Sequence, residues 1–296
     1  MFIEKFLQYI KYEKGYSSHT FVSYQTDLIQ FRDFVESKSI AFEPDKIDSS
    51  LIREWIVSLM EDAVSASSVN RKLSSLKSFY RFLKQHSLVS HNPLKKITAP
   101  KNKKQLPVFL KEDEMENLLD DGYDHLFEND FEGTRDKLMI EMFYTLGIRL
   151  SELINIKDTD IDLGRETIMI TGKRNKQRLL PFGDRFKNAV SEYLKMRNEV
   201  IPDRTGNFFI RESGEKLYPM LVYRVVNKYI TMVSSLSKRS PHVLRHTFAT
   251  AMLNNGAELS AVKELLGHSS LAATEVYTHT TFEQLQKIYK QAHPRA

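Results

Sequence analysis

A basic, proline-containing stretch at residues 92–107 divides this chain of 296 residues into two parts. Proline disrupts a regular helix, and the lysines of the stretch repel one another, so the pattern predicts a linker. Domains commonly contain roughly 100 to 200 residues, so a chain of this length favours two of them. We therefore expect a first domain at 1–91 and a second at 108–296.

The first domain has the period of amphipathic helices. Apolar residues recur three and four positions apart in four segments, which begin near residues 2, 18, 52 and 68. The fourth segment, at about 68–83, also carries five cations: Arg71, Lys72, Lys77, Arg81 and Lys84. A solvated helix face explains these cations as well as contact with phosphate does, so both interpretations stay open.

The second domain has a mixed pattern, which predicts a mainly α fold with a small β-hairpin, an α+β class. Two short strands, 167–171 and 177–182, flank a turn at 172–176. Helices are predicted at about 111–120, 134–146, 150–156, 183–197, 218–233, 242–255, 258–266 and 281–291.

Composition excludes several classes of site and protein. The chain contains no cysteine, which excludes disulfides, thiolate metal sites and thiol nucleophiles. It shows neither a signal-peptide pattern nor a long apolar run, so we expect a cytoplasmic protein with no membrane partner. The net charge of +5 suits a binder of polyanions.

A corner between two predicted helices carries the first candidate for chemistry. Gly147 ends one helix and Ser151 caps the next, so Arg149 is held by backbone geometry. The arginine could cap helix carbonyls or bind phosphate. Glu152 could interact with the helix dipole or orient a nearby cation.

The turn of the predicted hairpin is strongly basic. Lys173 lies at its tip, among Arg174, Lys176 and Arg178. Such a lysine is ordinarily solvated, but a hairpin can also deliver it to a site.

The third candidate region lies near the end of the chain. In the segment His242-Val-Leu-Arg245-His246, a helix places the two histidines and the arginine on one face. Gly267 should end a later helix and present His268 on a loop, and Tyr277 offers a phenol that can act as a covalent nucleophile.

A metal site built from His242, His246, His268 and His279 is disfavoured. The segment lacks the glutamate of a His-Glu-x-x-His motif, and Arg245 beside the ligands would oppose a cation.

Taken in order, Arg149, Lys173, His242, Arg245, His268 and Tyr277 resemble the catalytic set of the tyrosine recombinase (phage integrase) family. The motifs that carry the resemblance are Gly147-Ile-Arg149-Leu-Ser-Glu152, Thr171-Gly-Lys173, His242-Val-Leu-Arg245-His246, Leu265-Leu-Gly-His268-Ser and Tyr277-Thr-His279. The resemblance covers essentially the whole chain and is strongest to the bacterial Xer type, whose members resolve chromosome dimers.

The resemblance implies a fold and a mechanism. A helical core-binding domain and a catalytic domain would form a C-shaped clamp on double-stranded DNA that carries a specific recombination site. Arg149 and Arg245 would bind the scissile phosphate, and Tyr277 would attack it to leave a 3′-phosphotyrosyl link. His242 would accept a proton, Lys173 would act as general acid, and His268 would donate to the phosphate. No cofactor and no metal is implied.

The resemblance also implies partners. Four protomers, of one or two kinds, would assemble on two DNA sites and exchange the C-terminal helix at about 282–290, which could instead pack within its own protomer. A septal DNA translocase is a further expected partner. Candidate DNA contacts are Arg71, Lys72, Lys77, Arg81, Lys84, Lys101, Lys103, Lys104, Arg174 and Lys176.

Three alternatives stay open. A mobile-element integrase or an inversion enzyme would use the same chemistry, although the absence of an extra arm-binding domain before residues 1–14 disfavours the phage type. A type IB topoisomerase shares the nucleophile and the cations. A non-catalytic DNA-binding protein could retain the fold.

Overall fold

The computed structural model describes residues 1–102, 107–120, 126–172, 175–201, 206–267 and 279–296, without the side chains of 279–281. The chain forms two compact units, Met1–Gln105 and Leu106–Ala296. Each unit has its own hydrophobic core.

The first unit contains the four predicted helices. They are α1 (Phe2–Gln8), which continues into a π-helical turn (Tyr9–Glu13), α2 (Ser18–Ser37), α3 (Ser49–Glu61) and α4 (Ala66–Gln85). Side-chain oxygens of Ser17, Asp48 and Ser65 accept backbone N–H bonds at the starts of α2, α3 and α4. These caps fix where each helix begins.

The predicted linker differs from the observed chain path. A 3-10 helix, Pro93–Lys96, begins with the Asn92 side chain accepting the Leu94 N–H, and Leu94 and Ile97 are buried in the first core. Proline fits the first turn of a helix, so it starts this short element rather than preventing structure. Asn70 of α4 also donates to the Pro100 carbonyl at 2.9 Å, so the segment belongs to the first unit.

The second unit combines eight helices with a small sheet in its described residues. The helices are α5 (Glu112–Leu119), α6 (Phe131–Leu146), α7 (Leu150–Asn155), α8 (Asp184–Val200), α9 (Pro219–Val233), α10 (Pro241–Asn254), α11 (Leu259–Leu266) and α12 (His279–Ala292), with a 3-10 turn at Asp158–Asp160. The predicted helices are thus confirmed to within a few residues at their ends.

The sheet is antiparallel with the order β1-β2-β3. Strand β1 (Ile161–Asp162) pairs with β2 (Thr167–Thr171), which pairs with β3 (Gln177–Pro181). The predicted hairpin is confirmed, with Thr171 opposite Gln177 and the Gly172 N–H donating to the Lys176 carbonyl at 2.7 Å. The pattern did not predict β1, since two residues are too short to show an alternation.

Helix α6 runs through the core of the second unit and ends at Gly147. Gly147 has φ of +58°, and a Cβ there would lie 2.4 Å from the Phe248 ring of α10. Only glycine fits both the left-handed conformation and this close approach. The chain therefore turns sharply against α10 just before Arg149.

Helix α12 packs on the core of its own unit. Leu285, Tyr289 and Ala292 are buried, and the His293 ring stacks on Tyr289 and hydrogen-bonds the Tyr144 carbonyl at 3.1 Å. Burial lowers the pKa of His293 to about 4, so this imidazole is neutral near pH 7.

Ion pairs hold the chain end that follows α12. Arg295 donates to Glu141 at 3.1 Å and to Asp120 at 2.6 Å. The C-terminal segment is thus anchored in the unit to which it belongs.

In the described parts of the chain, no helix combines the length and the apolar character needed to cross a membrane.

Candidate active site

Arg149 occupies the predicted corner between α6 and α7. It is itself the N-cap residue of α7, so the prediction that Ser151 caps this helix is wrong. Its backbone N–H donates to Glu152 Oε2 at 2.9 Å, which closes the first turn of α7. Its guanidinium donates to Glu152 Oε1 at 2.6 Å and to the Gly267 carbonyl at 3.2 Å, and is about one third exposed. The side chain is therefore fixed on one edge and open on the other.

Arg245 projects from α10 into the same region and is buried. It donates to the Gly147 carbonyl at 2.6 Å and to the Leu266 carbonyl at 2.7 Å. Burial, followed by the nearby charge of Arg149, lowers the pKa of Arg245 to about 10. The group remains a cation at neutral pH.

The C-terminal end of α11 organises the cations. Its last carbonyls belong to Leu265, Leu266 and Gly267, and they accept hydrogen bonds from Arg178, Arg245 and Arg149 respectively. These carbonyls have no partner within the helix, and the helix dipole places negative charge there. Three arginines from three elements are thus gathered at one helix end.

Glu152 is the carboxylate among these arginines. Arg178 of β3 donates to both of its oxygens, at 3.1 and 2.8 Å, and Arg149 donates to Oε1. Burial by itself raises the pKa of Glu152, but the hydrogen bonds and charge of Arg178, and then those of Arg149, outweigh it and lower the pKa. Glu152 is therefore an anion at neutral pH, and it contacts the Arg149 guanidinium as an orienting partner would, which is one of the two roles that the sequence left open.

His242 begins the same helix face as Arg245 and is partly exposed. Partial burial, and then the charges of His246, Arg245 and Arg149, lower the pKa of His242. A neutral imidazole can accept a proton, so the environment suits the role that the resemblance implies. His246 is also exposed on this helix.

Three of the expected catalytic residues, Lys173, His268 and Tyr277, lie outside the described residues. Their described neighbours are in the site: Gly172 lies against Glu152, and Gly267, which ends α11 with φ of +62° as predicted, accepts from Arg149. The structure thus brings Arg149, His242 and Arg245 together.

Four exposed cations line a cleft of about 510 Å³ in the first unit. Lys77, Arg81 and Lys84 recur along one face of α4, and Lys95 of the 3-10 helix faces them. In the described part of the chain, none of the four has a carboxylate within ion-pair distance. Unpaired cations on one face are available to an anion.

Two other predicted DNA contacts on α4 have partners inside the protein. Lys72 is 7% exposed and pairs with the buried Asp27 at 3.2 Å, and it also donates to Gln30. Arg71 donates to Asp27 and Ser23 but keeps about half of its side chain exposed. The buried ammonium of Lys72 is therefore not placed to reach a DNA phosphate.

Of the remaining DNA-contact candidates, two are described by the structure. Lys101 and Lys176 are exposed. Lys103, Lys104 and Arg174 lie outside the described residues.

In the described ranges, no cluster of three or more His, Cys, Asp or Glu side chains is arranged to hold a metal ion.

No role for Arg178 was predicted from the sequence. Arg178 and Leu180 alternate on one face of the predicted strand, and the structure buries that face. A buried cation needs a carboxylate partner, so the strand pattern pointed to an ion pair. The partner of Arg178, Glu152, is remote in sequence, so spacing alone could not identify the pair.

Two family models match the chain. The "Phage integrase family" model matches residues 108–284, and "Phage integrase, N-terminal SAM-like domain" matches residues 3–87. Among curated proteins, "Tyrosine recombinase XerC" of Chlorobaculum parvum is 38% identical over 99% of this chain and 94% of its own length. The protein of the same name from Listeria welshimeri is 37% identical over 99% and 97%.

Solved structures show the same fold. XerH site-specific recombinase bound to palindromic difH substrate has a TM-score of 0.73 and 23% identity, over 96% of this chain and 83% of that chain. The Tn1549 transposon integrase in complex with circular intermediate DNA has a TM-score of 0.71 and 19% identity, over 96% and 98%. The motifs, the two matched domains and the full-length relatives together show that this chain belongs to the phage integrase family and is a site-specific tyrosine recombinase of the Xer type.

Proposed function

We propose that this recombinase cuts and rejoins DNA strands through a covalent bond between Tyr277 and a 3′-phosphate, and that it resolves chromosome dimers at cell division. The observation that carries the proposal is the pair of arginines at the end of α11. Arg149 donates to the Gly267 carbonyl and Arg245 donates to the Leu266 carbonyl. These two residues directly precede His268 in the sequence, and Tyr277 follows nine positions later.

Two neighbouring guanidiniums suit a phosphodiester in particular. Each presents a planar fork of donors, and together they can neutralise the charge that builds on the nonbridging oxygens during attack. Both are anchored by backbone carbonyls and a carboxylate, so they need little reorganisation when DNA binds.

The proposed reaction conserves the phosphodiester bond energy. Tyr277 Oη attacks phosphorus and gives its proton to His242, the P–O5′ bond breaks, and Lys173 protonates the leaving 5′-oxygen. In the reverse sense, a 5′-hydroxyl of a partner strand attacks the phosphotyrosine and releases the phenol. The protein supplies the cations, and neither step requires ATP.

The relatives support the assignment of a chromosomal role. The curated proteins that cover nearly the whole chain at 37–38% identity carry the name XerC, whereas the transposon integrase is similar in fold only. We therefore favour dimer resolution over a mobile-element integrase.

We propose that DNA also contacts the first unit along the cleft lined by Lys77, Arg81, Lys84 and Lys95. Arg71, Lys101 and Lys176 are further exposed cations that could contact phosphates. Four protomers on two sites would carry out the exchange, and a septal DNA translocase is a further proposed partner. Exchange of α12 with a neighbour would require the helix to give up the contacts that it makes here within its own unit.

The test is covalent trapping on DNA. Fragments of the host chromosome that the protein retains identify its site, which is then synthesised as a duplex nicked beside the scissile phosphate. On this duplex the short 5′-hydroxyl fragment diffuses away, so the covalent protein–DNA adduct accumulates. The wild type should form an adduct that resists denaturation, and Tyr277→Phe should bind the same duplex without forming it.

The outcomes separate the alternatives. A wild type that binds its site but never forms an adduct would contradict an enzymatic role and support a non-catalytic binder. Adduct formation with equal rates on unrelated duplexes, together with relaxation of supercoils, would support a topoisomerase. Retained fragments from transposon ends rather than from the replication terminus would support an integrase.

A further inference from the structure

Arg178 and Glu152 form an ion pair that is buried beneath the candidate active site. Both side chains are less than a tenth exposed, and the guanidinium meets the carboxylate through two hydrogen bonds, at 3.1 and 2.8 Å. The third donor, Nε, binds the Leu265 carbonyl at 2.9 Å. The pair thus connects β3, α7 and α11.

Two glycines lie against this pair. A Cβ at Gly172 would lie 3.3 Å from Glu152 Oε1, and a Cβ at Gly267 would lie 3.1 Å from Arg178 Nη1. These glycines directly precede Lys173 and His268 in sequence. The ion pair therefore packs against the backbone from which two of the expected catalytic residues continue.

The same pair also determines the position of Arg149. Glu152 Oε1 accepts from Arg149 Nη1 at 2.6 Å, and Arg178 shares that oxygen. Arg178 fixes the carboxylate plane by binding both oxygens, so that Oε1 is directed toward Arg149. The positive charge of Arg178 also neutralises the negative charge of Glu152. The positive charge of Arg149 therefore remains available to a phosphate.

We propose that Arg178 is a positioning residue for DNA cleavage, which sets the relative placement of Arg149, Gly172 and the end of α11 through Glu152 and Leu265. This inference rests on the proposed function. Arg178 is buried, and its effect is exerted through the groups to which it is hydrogen-bonded.

The experiment uses the nicked duplex described above, in single-turnover reactions at saturating DNA. Arg178→Gln removes the charge and the fork, and Arg178→Lys restores only a point charge. We expect Arg178→Gln to lower the cleavage rate constant about 100-fold, as displacements near 1 Å can do, with unchanged DNA affinity. Arg178→Lys should recover part of the rate, since it can bind Glu152 but not Leu265 as well.

A matched control separates positioning from stability. Arg197 is equally buried, binds Asp158 through two hydrogen bonds and binds the Phe208 carbonyl, but touches no element of the site. Arg197→Gln should lower the unfolding temperature as Arg178→Gln does, yet cleave at close to the wild-type rate below that temperature.

A double variant tests the pathway of the effect. Because Arg178 acts in part through Glu152, the rate loss in Glu152→Gln/Arg178→Gln should be smaller than the product of the two single losses. If the two single rate losses instead multiply in the double variant, the inference is overturned. A cleavage rate for Arg178→Gln equal to that of the wild type would also overturn it. A wild type that forms no adduct would instead overturn the proposed function, so the two failures are distinguishable.

Discussion

Arg149 and Arg245 donate hydrogen bonds to carbonyl oxygens of consecutive residues, Gly267 and Leu266, and so lie side by side at the end of α11. Like charges this close repel each other, which contributes to the lowered pKa of Arg245. The protein tolerates the repulsion because carbonyls and Glu152 offset it. Such an arrangement is complementary to an anion and gains stability when one binds.

Arg245→Lys should nearly abolish cleavage. One ammonium cannot bind the Gly147 and Leu266 carbonyls and a phosphate with the geometry of a guanidinium. We expect adduct formation about 100- to 1000-fold slower with DNA affinity little changed, measured by single-turnover trapping and gel shift. Arg165→Lys, which alters an exposed arginine, is the control. Cleavage by Arg245→Lys at the wild-type rate would contradict the clamp.

At subsaturating DNA, the rate of adduct formation should fall as the pH is lowered, with a midpoint below pH 6.5. Partial burial and three neighbouring cations lower the pKa of His242, so the imidazole is neutral at pH 7 and loses its acceptor only when pH falls through that lowered pKa. The measurement is the adduct-forming rate from pH 5 to 8. A midpoint above 6.5, or the same acid limb in His242→Gln, would exclude His242 as the acceptor.

Glu152→Gln should destabilise the second unit by about 3 kcal/mol at neutral pH, because two arginines lose their charged partner. The pKa of Glu152 is lowered, so its contribution is present above pH 4.5 and is lost as pH falls through the folded-state pKa. The stability difference between wild type and Glu152→Gln should therefore shrink in acid.

Urea unfolding at several pH values checks this prediction. The single tryptophan, Trp55, lies in the first unit, so its fluorescence reports that unit, whereas circular dichroism also reports the second. The difference in the free energy of unfolding between wild type and Glu152→Gln should appear in circular dichroism. A difference seen only by fluorescence, or one that grows as pH falls, would be inconsistent with the ion-pair network around Glu152.

Removing cations from the α4 cleft should reduce the salt dependence of DNA binding. Each phosphate contact that is lost lowers the slope of log affinity against log salt by about 0.9. Lys77→Ala, Arg81→Ala and Lys84→Ala are therefore expected to flatten the slope, measured by fluorescence anisotropy at several salt concentrations.

Two variants of the first unit are controls for this cleft. Lys46→Ala removes a lysine that pairs with Glu43 and should leave the slope unchanged. Lys72→Met should destabilise the first unit, because it removes a buried partner of Asp27, without flattening the slope. Equal slopes for wild type and the cleft variants would contradict the proposed contact surface.

Local signals predicted much of the fold. Gly147 and Gly267 end helices in the left-handed conformation, because this effect depends on a few adjacent residues. Strand β1 was missed because two residues carry no measurable period.

Interactions between remote residues were not predictable from the pattern. Lys72 falls on the apolar stripe of α4, but Asp27, which allows it to be buried, lies on another helix. Arg178 likewise needs Glu152 from α7. In both pairs the sequence showed a cation, and only the fold supplied its partner and therefore its role.

Identification of the residue that becomes bonded to DNA tests the covalent mechanism. The adduct formed on the nicked duplex is digested with protease and nuclease, and the modified peptide is sequenced by mass spectrometry. We expect a 3′-linked nucleotide on Tyr277 and no adduct from Tyr277→Phe. An adduct on any other residue, or one that persists in Tyr277→Phe, would contradict this mechanism.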